Sequence, residues 1–140
     1  MGKMGISGIV VSFLLVTNIV FAQGIGEDLR KVVELNFAGL EKNNIEQSMK
    51  TIHTQSPAYL QTKMMVEQLV DDFSLKYELA FFKYITTDDG YALARVKQKT
   101  TKIKGPAFKD NLVDAIYVFT KEGNTWKIWT QAIIAIEYLN

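Results

Sequence analysis

The amino-acid sequence predicts an α+β domain in which three helices precede a four-stranded antiparallel sheet. Two observations carry this. Apolar residues recur at three- and four-residue spacing up to about position 72, and beyond it they alternate with a period of two. Hairpin signals then divide the second half into four long strands. Helices gathered before a sheet of consecutive hairpins pack on one face of it.

Leu29, Val32, Val33, Asn36, Phe37 and Leu40 form one stripe, which predicts an amphipathic helix over about 27–42. Glu27 and Asp28 place negative charge where a helix start favours it. Asn43-Asn44 ends that helix, and Asn44 is placed to cap a short second one containing Ile45, Met49 and Ile52. Ser56-Pro57 starts a third, with serine as cap and proline in the first turn, carried by Leu60, Met64, Met65, Leu69 and Val70 to about Asp72.

In the first strand, over 73–85, Phe73, Leu75, Tyr77, Leu79 and Phe81 alternate with Ser74, Lys76, Glu78 and Ala80. The doublet Phe81-Phe82 shifts the phase, the mark of a bulge or a bend. Asp88-Asp89-Gly90 is a hairpin turn, followed by a strand from Tyr91 to Ile103. Gly105-Pro106 reverses the chain, Leu112 to Thr120 is the third strand, Glu122-Gly123-Asn124 a tight turn, and Thr125 to Tyr138 the fourth.

The amino terminus reads differently. Lys3 supplies a positive start, residues Ile6 to Phe21 are almost wholly apolar, and Val20-Phe21-Ala22 puts small residues at the −3 and −1 positions of a cut before Gln23. This is the layout of a secretory signal. The expected organisation is therefore a cleaved signal peptide, 1–22, and one domain, 23–140. The product is expected to be exported, either periplasmic or secreted, with no stable membrane span after cleavage. The chain has no cysteine, so a lipidated amino terminus, a disulfide and a thiolate metal site are all excluded. Removing the leader takes away one lysine and no acid, leaving 15 basic and 15 acidic residues. A chain without net positive charge is a poor nucleic-acid ligand. The run Arg95, Lys97, Lys99, Lys102 and Lys104 reads as a solvated strand face that also discourages unwanted edge pairing.

The element order is joined by three local patterns. They are Phe37-Ala38-Gly39-Leu40-Glu41-Lys42-Asn43-Asn44 closing the first helix, Ser56-Pro57 opening another, and a hairpin. The hairpin runs from Asp114 to Phe119 and on through Lys121-Glu122-Gly123-Asn124-Thr125-Trp126-Lys127-Ile128-Trp129. Together these resemble the nuclear transport factor 2-like (NTF2-like) superfamily, with its SnoaL-like and ketosteroid-isomerase-like members, from about Leu29 to Tyr138. The resemblance implies a cone: a strongly curved sheet wraps the long helix and leaves an apolar pocket at its open end. It also implies a small, mostly apolar ligand and a homodimer formed through the sheet.

Asp114 sits among apolar residues in Leu112-Val113-Asp114-Ala115-Ile116. If it faced inward, burial would keep it neutral and able to donate a hydrogen bond. The resemblance places it near an oxyanion-hole aspartic acid of ketosteroid-isomerase-like enzymes. The alternative is an outward side chain paired with Lys or Arg of the next strand. The rest of that mechanism is missing, since Asn36 stands where the oxyanion tyrosine falls and Ser56 where the general base falls. A serine without an activating partner is no base near neutral pH. His53, the only histidine, is the other titratable candidate, by likeness to members that use a cavity histidine as base. Paired with Asp114 it would make a SnoaL-like lyase or isomerase dyad; alone it is a helix-end residue. Tyr59, Tyr77, Tyr117 and Trp129 are the expected pocket lining. No metal site and no cofactor are expected. The incomplete catalytic set favours a small-molecule binding or accessory protein, ahead of an enzyme using His53 and Asp114, and ahead of a homodimeric interaction module.

Overall fold

The structure, a computed structural model, describes the backbone of residues 7–140 and the side chains from residue 21 onward. Three helices, α1 (Ser7–Glu41), α2 (Ile45–Met49) and α3 (Tyr59–Asp72), precede four strands, β1 (Ser74–Asp88), β2 (Tyr91–Lys104), β3 (Asn111–Glu122) and β4 (Thr125–Tyr138). The strands form one antiparallel sheet in the order β1-β2-β3-β4, as successive hairpins require.

The expected signal peptide falls mostly on positions whose side chains lie outside the described residues. Helix α1 begins earlier than the 27–42 stripe suggests. Gly24 and Gly26 lie inside it rather than ahead of it, because nothing between the apolar run and the amphipathic stripe carries a proline or a cap to stop the helix. Asn44 caps α2 as expected, its side chain accepting from the Gln47 N–H at 3.0 Å. Ser56 does not cap α3, which starts at Tyr59. Its hydroxyl instead accepts from the Ala58 N–H and donates to the Trp129 carbonyl, tying the approach to α3 onto β4.

Leu29, Val33 and Phe37, one helical face of α1, are buried against the inner face of the sheet. That face presents Ala92, Ala94 and Val96 of β2 together with Ala115, Tyr117 and Phe119 of β3. Each large side chain removed from water in this core contributes about 1.5–3 kcal/mol. Register shifts bend the sheet at Leu79/Phe81 and Tyr84/Thr86 of β1 and at Asp114/Ala115 and Val118/Phe119 of the β3–β4 pairing. A bulge adds one residue to one strand, so it bends and twists the ladder locally. The sheet thus curls around α1, and the Phe81-Phe82 phase change has its place in the first of these bends. At the β1–β2 turn Asp89 and Gly90 both have positive φ, the geometry of the tightest hairpins.

Residues 51–53 run beside the start of β4. Ile128 N–H donates to the Thr51 carbonyl and His53 N–H donates to the Ile128 carbonyl, at 2.8 and 2.9 Å. They cover the first half of the outer edge of the sheet. From Gln131 to Tyr138 every residue of β4 is exposed, on both faces.

Candidate functional site

A cavity of about 210 Å³ lies between α1, α3 and the inner face of the sheet. Its walls come from α1 (Asn36), α3 (Thr62) and the inner faces of the strands (Tyr77, Gln98, Tyr117, Gln131), with aliphatic side chains between them. Among the described residues, none that lines it carries a formal charge. A wider cleft lies between Ala22, Gln23 and Arg30 of α1 and Phe82 and Tyr84 of β1, but it takes part of its wall from the expected leader.

The polar groups of the cavity are set by hydrogen-bond logic. Thr51 Oγ1 donates its single proton to the Ser48 carbonyl at 2.6 Å, so towards Asn36 it can only accept. Asn36 Nδ2 therefore faces Thr51 Oγ1 at 2.8 Å and Ser48 Oγ at 3.1 Å, which turns Oδ1 the other way. Gln98 Nε2 donates to Thr100 Oγ1 at 3.0 Å, and its Oε1 faces the Tyr117 hydroxyl at 3.5 Å, a long contact. Tyr77 is anchored through its backbone, whose N–H donates to Glu41 Oε1 at 2.8 Å, while its hydroxyl has no partner among the described residues. Burial, with the nearby Glu41 carboxylate, pushes the Tyr77 phenol up to about 12. Burial raises that of Tyr117 further. Both are neutral donors throughout the physiological range.

Of the lining foreseen from the sequence, Tyr77 and Tyr117 face the cavity. Tyr59 does not. It borders a separate, charged groove with Glu46, Lys50, Lys63, Glu122 and Lys127. Trp129 does not either: it stacks edge-on against His53 and Tyr91, at centroid distances of 5.0 and 6.1 Å. The Val118/Phe119 register shift places Trp129 as an extra residue and turns it away from the Ile128 side of the strand.

Asp114 and His53 are not brought together. Asp114 alternates with the buried Ala115 and so points from the outer face, where it pairs with Arg95 through both carboxylate oxygens, at 2.9 and 2.6 Å. Hydrogen bonding to Arg95 holds its carboxyl below the usual range, the reverse of the raised value that an oxyanion donor needs. His53 lies at the edge of β4, buried against Trp129, with Nδ1 accepting from the Gln55 N–H at 3.1 Å. In that tautomer the ring proton is on Nε2, and no proton lies between Nδ1 and Glu122 Oε1, 3.5 Å away. The β3 residue opposite Ile128 is Phe119, five positions from Asp114, which separates the two groups by on the order of 17 Å along the strand. Acid and base at that separation cannot serve one substrate. Among the described residues there is no cluster of three or more His, Asp or Glu side chains that could hold a metal.

Gln98 and Gln131 were not foreseen as lining. Gln98 carried a signal, being the polar member of the inward series Ala92, Ala94, Val96, Gln98.

Residues 31–139 match the family described as anti-sigma-I factor RsgI9, C-terminal domain. The chain belongs to that family. No curated protein is similar enough in sequence to stand as a relative of this RsgI9 C-terminal domain member. Solved structures share its fold at low identity. A protein from Novosphingobium aromaticivorans, proposed as a scytalone dehydratase, is 12% identical, with a TM-score of 0.65 over 89% of this chain and 91% of that one. A proposed dehydratase of the NTF2-like family from Streptomyces avermitilis is 14% identical, with a TM-score of 0.64 over 78% and 94%. Bd1075 of Bdellovibrio bacteriovorus is 19% identical, with a TM-score of 0.62; the match takes in 76% of this chain but only 39% of that larger one. The RsgI9 C-terminal domain member thus has the NTF2-like cone fold. At these identities the neighbours speak for fold alone.

Proposed function

We propose that this is an exported, non-catalytic domain that binds a small uncharged ligand in its cone cavity. One observation carries the reading: the cavity combines apolar walls with neutral amides and hydroxyls, while His53 and Asp114 are tied up elsewhere. Among the described residues the lining offers no carboxylate, imidazole or ammonium group and no metal cluster, which supports binding over turnover. The family name, from a C-terminal domain of an anti-sigma-I factor, suits a sensing or accessory module better than an enzyme. Export rests on the sequence of residues 1–22. The test is native mass spectrometry of the protein purified from its own cell envelope, together with amino-terminal sequencing. A start at Gln23 and a retained neutral molecule of small mass are expected. A start at Met1 in the cytoplasmic fraction refutes export, and an empty protein that stays empty when offered uncharged small molecules refutes binding.

A second reading, association of two copies, is favoured by β4. Between Gln131 and Tyr138 its edge is unpaired among the described residues, and its side chains are apolar except Gln131 and Glu137. An antiparallel pairing of this segment with itself, centred between Ile134 and Ala135, sets Ile133 against Ile136 and Glu137 against Ala132, so no like charges meet. Sedimentation of the native protein and of Ile134→Lys tests it. Dimers lost in the variant are expected, and a wild-type monomer at high concentration refutes it.

A further inference from the structure

We propose that the cavity selects a ligand carrying a hydroxyl group, read by Asn36 as acceptor and Tyr77 as donor; this rests on the binding reading above. Both side chains are more than nine-tenths buried, at 7% and 9% exposure. Asn36 spends its Nδ2 on Ser48 and Thr51, and the single proton of Thr51 fixes that orientation. Asn36 Oδ1 and the Tyr77 hydroxyl have no protein partner among the described residues, and yet no buried polar side-chain atom is both sealed off and unpaired. They therefore open on the space they line. A buried acceptor and donor left facing a cavity lose their water when an apolar molecule fills it, which is costly unless the ligand replaces those bonds.

The chemistry of the pair narrows the class. A hydroxyl donates to Asn36 Oδ1 and accepts from Tyr77. A carbonyl or ether answers Tyr77 and leaves Asn36 unpaired. A carboxylate meets the Asn36 oxygen with no cation in the lining to offset it. At about 30 Å³ per water, 210 Å³ has room for about seven water-sized groups, so the ligand is on the size scale of one ring with a short substituent.

The test is calorimetric titration of the native protein, emptied of ligand, with benzyl alcohol, ethylbenzene, benzyl methyl ether and benzoate. An apolar pocket prefers ethylbenzene, because the alcohol must first be stripped of water. The expected result is the reverse order, with benzyl alcohol at least tenfold tighter than ethylbenzene or the ether, and no binding of benzoate. Tyr77→Phe keeps the ring and is expected to lower benzyl alcohol affinity about tenfold while leaving ethylbenzene within twofold. Ethylbenzene binding as well as or better than benzyl alcohol to the wild type overturns the inference while leaving the cavity a binding site. An unchanged preference in Tyr77→Phe overturns it as well. If none of the probes binds, the binding reading itself falls.

Discussion

Gly39→Ala tests whether the contact between α1 and α2 is as close as the structure has it. A Cβ on Gly39 would lie 2.6 Å from the Ser48 backbone nitrogen and 2.9 Å from its Cα. Comfortable contact begins near 3.5 Å, so α2 must retreat by about 0.9 Å. Retreat is resisted, because Ser48 and Thr51 are held by Asn36 and the Thr51–His53 segment is hydrogen-bonded to β4. The clash is with backbone rather than with the end of a flexible side chain, so the cost is about 2–3 kcal/mol, the upper part of the usual overpacking range. Replacing glycine within a helix returns about 1 kcal/mol. The net loss is about 1–2 kcal/mol. For a domain of about 118 residues the unfolding entropy is about 0.25 kcal/mol per kelvin, so Tm falls by about 4–8 °C. Thermal unfolding followed by circular dichroism measures this. A Tm equal to or above that of the wild type refutes the close approach, since helix propensity alone would then decide the outcome.

Two further outcomes follow from the site geometry. The carboxyls of Asp114 and Glu122 are both depressed, the first by Arg95 and the second chiefly by hydrogen bonds from Thr54. Groups depressed on folding contribute stability above their unfolded values of about 3.9 and 4.3 and lose it as the pH falls through the lower folded values. Denaturant midpoints are therefore expected to hold between pH 5 and 7 and to drop below about pH 4, with a shallower drop in Glu122→Gln; identical acid profiles for the two proteins would count against the Thr54–Glu122 contact. Because Asp114 is engaged on the outer face, Asp114→Asn is expected to leave ligand occupancy within twofold by native mass spectrometry, and a larger loss would return it to the site.

The fold was legible because the strongest signals are local. The change of period at about residue 72 and the Asp89-Gly90 and Gly123-Asn124 turns leave little freedom in hairpin order. The site was legible only where alternation survives unbroken. Tyr77 and Tyr117 are in phase with the buried Leu75 and with Ala115 and Phe119, and both reach the cavity. Trp129 follows a register shift, and one inserted residue is enough to send a side chain to the other face. Asp114 was ambiguous for a different reason: its apolar sequence neighbours are shared by both faces, and the cross-strand Arg95 and Lys97 decide its environment. The orientation of the Asn36 amide depends on Thr51, fifteen residues away, and no spacing rule reaches that far.

The free half of β4 has a consequence for how the molecule would respond to its surroundings. Gln131 and Ile133 belong at once to the cavity wall and to the unpaired edge. A strand added along that edge would restrain the same backbone that a ligand inside restrains. Occupancy and association would then be linked, each raising or lowering the other's affinity by one common factor. Such a domain would report a small molecule through whom it touches, with no change of fold.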